Sequence, residues 1–246
     1  MAAITEAAHA AGAECGFDLA HAAGNIDLRL HDWNVDFAVW CNYKYLNSGP
    51  GAIGGCFVHE RHRDDTLADR PRFAGWWGHQ KGDRFEMKPE FVSSPGASGY
   101  QLSNPPVFQI AALRASLELF EEAGMARLRA KSLLLTGYLE ALLDADAVLD
   151  MAGGAKHVSV ITPREPAARG CQLSLLFKLP IGAVHKRISA EGVICDMREP
   201  DVMRIAPAPL FNTFGDVRAF VGLLRDAVQA EAAAAAAAAP APPAAE

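Results

Sequence analysis

The sequence predicts an α/β protein: a larger domain built on a buried sheet, followed by a smaller α+β C-terminal domain. Three observations carry this. Residues 35–41, Val-Asp-Phe-Ala-Val-Trp-Cys, are apolar at nearly every position, the pattern of a strand covered on both faces. Residues 106–143 hold two amphipathic helical stretches divided at Gly124. Beyond them, short strand-like runs alternate with helical ones. The domains are therefore set at 1–110, at 111–230 for linking helices and the small domain, and at 231–246 for a tail.

Taken in order, the alanine-rich residues 1–13 read as a helix without a convincing cap. Residues 14–19, 35–42 and 53–58 read as strands. Gly49-Pro50-Gly51 breaks the chain between the last two. Residues 60–72 are crowded with charge, Glu60, Arg61, Arg63, Asp64, Asp65, Asp69, Arg70 and Arg72 among them, and read as a solvated loop. Residues 73–106 are rich in Gly, Pro, Ser and aromatics. A long irregular stretch of this kind inside a domain is functional or disordered, and the adjacent Trp76 and Trp77 with His79 favour function. Phe108, Ala111, Ala112, Ala115, Leu119 and Phe120 then mark one helical face. Leu128, Leu135, Tyr138, Leu139 and Leu142 mark a second. Strands are expected at 158–162, 172–179 and 202–206, and helices at 184–191 and 214–230. Eight consecutive alanines and a Pro-Ala-Pro-Pro run make 231–246 a frayed or disordered tail.

The net charge of −6 argues against nucleic acid or an anionic membrane as a partner. The five cysteines, at 15, 41, 56, 171 and 195, are scattered with no Cys-x-x-Cys pair, which excludes the common zinc spacings. Cys41 and Cys56 lie in apolar runs and read as small core residues. Free buried thiols suit a reducing cytoplasm.

The chemistry centres on Asn42-Tyr43-Lys44-Tyr45-Leu46-Asn47. Lys44 falls just past the end of a strand, on a turn. A lysine held there in apolar surroundings has its ammonium disfavoured, and a neutral amine is what Schiff-base chemistry needs. Asp18 falls at the end of an earlier short strand. An acid and a lysine at the carboxyl ends of strands face one crevice of an open α/β sheet. Pyridoxal phosphate (PLP) uses that pair, the lysine to hold its aldehyde and the acid to keep its pyridine nitrogen protonated. The same residues also allow an Asp capping a turn and a Lys in solvent.

Eight ordered motifs resemble kynureninase. They are Gly16-Phe17-Asp18-Leu19-Ala20-His21-Ala22-Ala23-Gly24-Asn25, Leu30-His31-Asp32-Trp33, Cys41-Asn42-Tyr43-Lys44-Tyr45-Leu46-Asn47, Gly75-Trp76-Trp77-Gly78-His79 and Leu102-Ser103-Asn104-Pro105-Pro106, then Leu133-Leu134-Leu135-Thr136-Gly137-Tyr138-Leu139-Glu140, Arg169-Gly170-Cys171-Gln172-Leu173 and Arg204-Ile205-Ala206-Pro207-Ala208-Pro209-Leu210. The likeness is collinear from about residue 3 to about residue 228. Related enzymes such as cysteine desulfurases more often carry a histidine before the lysine, so Tyr43 favours kynureninase. Kynureninases are much longer, and the resemblance implies a C-terminal portion of one. The half not represented carries the segment that stacks on the cofactor ring and the main phosphate-binding turn.

The resemblance implies a fold-type I PLP-dependent transferase architecture of the aspartate aminotransferase-like kind, with residues 1–110 the C-terminal part of the PLP-binding domain. It implies Lys44 as the residue that holds the cofactor aldehyde and moves protons. Asp18 would pair with the pyridinium nitrogen beside His21, and Tyr43 would reach the phosphate and serve in proton transfer. Trp76 and Asn104 would complete the cofactor site from a neighbouring subunit of a homodimer. His79 and Asn104 would meet the substrate's aromatic amine, and Arg204 would clamp its carboxylate. An arginine inside the apolar run 202–206 is costly unless paired, which independently suggests a ligand carboxylate. The implied reaction is cytoplasmic hydrolysis of L-kynurenine or 3-hydroxykynurenine to anthranilate or 3-hydroxyanthranilate and L-alanine. Two other readings stand beside it: an inactive packing or dimerisation module, and another fold-type I enzyme such as a desulfurase or aminotransferase.

Overall fold

The computed structural model describes residues 1–146 and 157–238 of the chain. They fall into two units, Met1–Met125 and Ala126–Glu246.

The first unit begins with helix α1 (Ala2–Ala10), followed by strands β1 (Gly16–Asp18), β2 (Phe37–Cys41) and β3 (Gly54–Val58). The sheet order is β1-β2-β3. β1 runs parallel to β2, with Asp18 opposite Val39, and β3 runs antiparallel, with Cys56 opposite Val39. Successive side chains alternate between faces and directly opposed residues share one. Gly16, Asp18, Phe37, Val39, Cys56 and Val58 therefore lie on one face, and Phe17, Ala38, Trp40 and Phe57 on the other. Ala38 is fully buried, whereas Phe37 and Val39 are 45% and 48% exposed. The expectation that this strand is covered on both faces is thus corrected. β2 packs on its Ala38 side, and its Phe37 side is open among the described residues.

Helix α2 (Val107–Ala123) ends at Gly124, whose φ of +76° is readily adopted by glycine. The Ser116 hydroxyl on α2 donates to the Leu46 carbonyl. That contact ties α2 to the first unit, which runs to Met125.

The second unit contains α3 (Met125–Ala145), β4 (Val158–Val160), β5 (Leu173–Phe177), α4 (Ile181–Ala190), β6 (Asp196–Arg198), β7 (Val202–Ile205) and α5 (Phe214–Ala238). Its antiparallel sheet has the order β4-β5-β7-β6. β5 buries Leu173, Leu175 and Phe177 and leaves Ser174 and Leu176 half-buried, a strict alternation. The buried face meets Leu135 and Leu139 of α3, Val184 and Ile188 of α4, and Leu224 and Val228 of α5. This is the α+β arrangement, with helices on one face of an antiparallel sheet. Each fully buried aliphatic side chain contributes about 1.5–3 kcal/mol relative to exposure.

Three expectations change in detail. β6 is absent from the sequence reading because it is three residues long, polar and at a sheet edge. The alanines up to Ala238 extend α5 instead of fraying, in keeping with alanine's top rank as a helix former; residues 239–246 lie outside the described part. All five cysteines are free, but the buried ones are Cys15 and Cys171, while Cys56 is exposed and Cys41 half-buried. Cys56 points to the open face of β3, so its apolar neighbours do not enclose it.

Candidate functional site

Lys44 sits three residues past the end of β2 on a tightly held turn. The Ser48 N–H donates to the Asn42 carbonyl at 3.0 Å and the Asn47 N–H to the Lys44 carbonyl at 2.9 Å. Buried Asn42 braces the turn from inside. Its amide donates to the Ile53 carbonyl at 2.6 Å, and its Oδ1 accepts from the Trp40 indole at 3.0 Å. Asn47 adopts a left-handed φ of +56°. Lys44 itself is half-buried. Its Nζ lies 5.8 Å from the Tyr43 ring, and Tyr43 is 51% exposed.

Asp18 closes β1, and its Oδ1 accepts the Ala20 N–H at 2.9 Å, an Asx-type turn. The chain turns back through exposed His21, whose ring stands edge-on to Tyr45 at 6.3 Å. Gly24 then brings this loop against the lysine loop. Its φ is +78°, and a Cβ there would lie 2.9 Å from the Tyr45 carbonyl carbon. The Leu19 N–H to Val39 carbonyl bond at 2.8 Å extends the parallel pairing. Asp18 and Lys44 thus stand at the carboxyl ends of adjacent parallel strands, with their loops in backbone contact. A Gly24→Ala substitution meets both a left-handed backbone and a backbone collision. It should destabilise the first unit by about 1–3 kcal/mol, measurable as a lowered urea midpoint; an unchanged midpoint would separate the two loops.

Trp76, His79 and Asn104 lie on a second pair of loops. A Cβ on Gly75 would fall 1.9 Å from the Leu102 carbonyl oxygen, and one on Gly78 2.7 Å from that of Gln101. The segments carrying Trp76 and Asn104 therefore touch backbone to backbone. Trp76 is 46% exposed and packs edge-on to Trp77. Exposed Asn104 accepts only the Ser103 hydroxyl among the described residues. His79 is different, because it is buried and both its ring nitrogens are engaged. Nδ1 accepts the Val92 N–H at 3.2 Å, so Nε2 carries the hydrogen shared with Asp83 at 2.9 Å. Hydrogen bonds from Gln80, Lys88 and His79 hold the Asp83 carboxyl down at about 2. His79 braces its own loop here, a role the sequence did not indicate.

In the second unit, Arg204 on β7 lies directly opposite Asp196 on β6 and Ser174 on β5. Its Nε donates to Asp196 Oδ2 at 2.5 Å, and Arg198 Nε donates to the same oxygen at 2.8 Å. The expectation that this arginine needs a ligand to pair with is corrected: Asp196 already pairs with it. The run 202–206 hid that partner, which comes from strand register.

The charged stretch 60–72 is not merely solvated. Asp36, 3% exposed, accepts the Cys15 N–H at 2.7 Å, contacts His9 and His62 at 2.8 Å each and accepts Arg61 Nε at 3.1 Å. Burial pushes its carboxyl up, but the bonds from His62, Cys15, His9 and Arg61 outweigh this and hold it far below the usual carboxylate range. Arg70 makes a bidentate pair with Glu14, both bonds at 2.6 Å, and reaches Asp65. Glu14, Asp36 and His62 come within 4.8 Å of one another. Arg61 and Arg70 already balance these carboxylates, so the cluster is an ion-pair network anchoring the start of β2.

The parallel strand ends define a class, and the comparisons agree. The aminotransferase class-V profile matches residues 1–163, and the chain belongs to that family. The profile of the kynureninase C-terminal domain matches residues 128–224, and the likeness within the family is to kynureninases. The chain is 60% identical to the kynureninase of Myxococcus xanthus over 224 residues, 91% of this chain and 50% of that protein. It is 53% identical to that of Nematostella vectensis, over 92% of this chain and 49% of the relative. It thus spans about half the length of the curated relatives it matches. Among solved structures, the cysteine desulfurase CsdA of Escherichia coli superposes with a TM-score of 0.72 at 17% identity, covering 94% of this chain and 55% of that one. C-DES with glycine covalently linked to its PLP cofactor superposes with a TM-score of 0.65 at 19% identity, over 83% of this chain and 49% of that one. The fold is fold type I, as the sequence led us to expect.

The residues present suit PLP. Lys44 has no ion-pair partner among the described residues, and one Asp18 oxygen has no partner among them. An amine for the aldehyde and a carboxylate for the ring nitrogen therefore stand available on neighbouring loops, with the Tyr43 hydroxyl as a donor for the phosphate.

Proposed function

We infer that this chain provides the lysine-bearing half of a kynureninase. The reaction adds water to L-kynurenine, or to 3-hydroxykynurenine, and yields anthranilate, or 3-hydroxyanthranilate, and L-alanine. The observation that carries the reading is the placement of Asp18 and Lys44 at the ends of adjacent parallel strands, in a chain 60% identical to a kynureninase. Bound there, PLP supplies an electron sink for the carbanion formed at the substrate Cα.

The chain's own residues supply hold, orientation and protons. Lys44 would hold the cofactor's aldehyde end and afterwards move protons. Asp18 keeps a proton on the ring nitrogen, with His21 beside it. Tyr43 donates to the phosphate and serves in proton transfer. Trp76 and Asn104 complete the cofactor site of a homodimer from the partner side, while Asn104 meets the aromatic amine together with His79, which would exchange its Asp83 bond for the substrate. Arg204 takes the substrate carboxylate. On this reading the chain serves tryptophan catabolism leading to NAD biosynthesis, in the cytoplasm. Among the described residues no helix is long and apolar enough to cross a membrane.

The test is anthranilate fluorescence released from L-kynurenine by the PLP-supplemented chain, alone and mixed with the half of the Myxococcus xanthus kynureninase that it does not match. Release in either condition supports the reading; silence in both overturns it. In the active mixture, Arg204→Ala should raise KM for kynurenine roughly 10- to 100-fold with a smaller change in kcat, because charge-assisted bonds contribute about 1.5–3 kcal/mol. An unchanged KM would remove Arg204 from the carboxylate site.

A further inference from the structure

We propose that Ser174 is a second donor to the substrate carboxylate, on the flank of Arg204 that Asp196 leaves open, with Gln172 positioning its hydroxyl. This role rests on Arg204 taking that carboxylate. Ser174, Arg204 and Asp196 are directly opposed across β5, β7 and β6, so their side chains share one face of the sheet. It is the face turned away from the helices, because Leu173, Leu175 and Phe177 occupy the other.

The backbone sets Ser174 close to Arg204. The Ser174 N–H donates to the Thr162 hydroxyl at 2.7 Å, and its carbonyl accepts the Ile161 N–H at 3.0 Å. Both groups therefore point away from β7, and Ser174 faces Arg204 as a non-hydrogen-bonded pair. Such pairs are the closer kind, with Cα atoms about 4.5 Å apart. The Gln172 amide donates to Ser174 Oγ at 3.3 Å. That bond occupies one lone pair of the hydroxyl. Its hydrogen has no acceptor among the described residues and stays available to a ligand.

Arg204 is arranged to match. Its Nε and Nη2 both reach Asp196 Oδ2, while Nη1, off that edge of the planar group, has no partner among the described residues. Arg198 Nε holds the same Asp196 oxygen at 2.8 Å. Two guanidinium groups against one carboxylate leave one positive charge, which suits a monoanion. A carboxylate offers about four lone-pair positions, more than the remaining Arg204 donors fill. A hydroxyl beside them takes another. The next pair on this face, Leu176 opposite Val202, is apolar, so Ser174 is the donor on that flank.

The full 246-residue chain, carrying isotope-labelled arginine, is titrated with L-kynurenine in the absence of PLP. The Arg204 Nε–H resonance, identified by its loss in Arg204→Lys, is followed by NMR and should shift. Ser174→Ala should weaken the apparent affinity about tenfold, while the resonance of the ligand-free chain stays in place because the Asp196 pair is untouched. Ser174→Thr keeps the hydroxyl and should bind within about twofold of the unsubstituted chain, whereas Ser174→Val, of the same shape without it, should again lose about tenfold. The threonine and valine variants decide the matter if the alanine variant misfolds. An Arg204 resonance that never responds would overturn both the proposal and the reading of Arg204. Equal affinity in all the variants would remove Ser174 alone and leave Arg204 standing. In the mixture that releases anthranilate, Ser174→Ala should raise KM for kynurenine about tenfold with little change in kcat; a fall in kcat at unchanged KM would overturn the proposal.

Discussion

Replacing Lys44 by alanine should abolish the visible absorbance that PLP develops on the protein, and with it any borohydride-fixed label. The expectation follows from the local geometry. The lysine turn is held by Asn42, which is tied to Trp40 and Ile53 at once, so the backbone at position 44 does not depend on the lysine side chain. Lys44→Ala should therefore leave folding intact and remove one amine. Peptide mapping of the reduced unsubstituted chain should find the label on Lys44 and not spread over surface lysines. A band that survives Lys44→Ala, or label distributed over several lysines, would end the assignment. Asp18→Asn tests the other end of the cofactor: the band should form but bleach more readily, because an amide cannot stabilise a protonated ring nitrogen.

The second large effect concerns stability. Asp36→Asn should cost about 1.5–3 kcal/mol, the range for losing a hydrogen bond to a charged group, since the partner left behind, Arg61, is itself exposed. The substitution leaves Arg61 facing a neutral amide. Urea unfolding followed by tryptophan fluorescence checks this. The pH dependence has a definite sign. The folded-state carboxyl lies below its ordinary value of 3.8, so its contribution is complete above that value and is lost as pH falls through it toward the folded-state value. The stability gap between the unsubstituted chain and the Asp36→Asn variant should be widest near neutrality and shrink below about pH 4. A gap that stays constant down to about pH 3 would assign the effect to shape and not charge.

The sequence made some of this visible and hid the rest for physical reasons. The end of β2 was legible because an apolar run stops at Cys41, followed by polar Asn42 and, a turn later, a Gly-Pro-Gly break, all local signals. Helices α2 and α3 were legible because Gly124 interrupts a regular period. Gly24 was not, since what requires glycine there is the Tyr45 backbone 21 positions away. Asp36 was concealed inside an apolar run, where it breaks the pattern without revealing what surrounds it. Its partners come from α1 and from the charged stretch after β3, so only folding makes residues 60–72 an internal counter-charge. Asp196 escaped notice for the same reason, because strand register, not spacing, sets it against Arg204. The open face of β2 was misread because its composition belongs to a covered strand.

The Asp196–Arg204 pair also bears on how a carboxylate would arrive. The guanidinium is already oriented by an anion across the sheet, so most of the rotamer freedom that a free arginine surrenders on binding is lost before the ligand comes. An incoming carboxylate therefore meets a stiff receptor, and it must share or displace a resident one. Recognition of a carboxylate at this position would be an exchange between two anions, and small changes in β6 would then tune selectivity without touching the arginine.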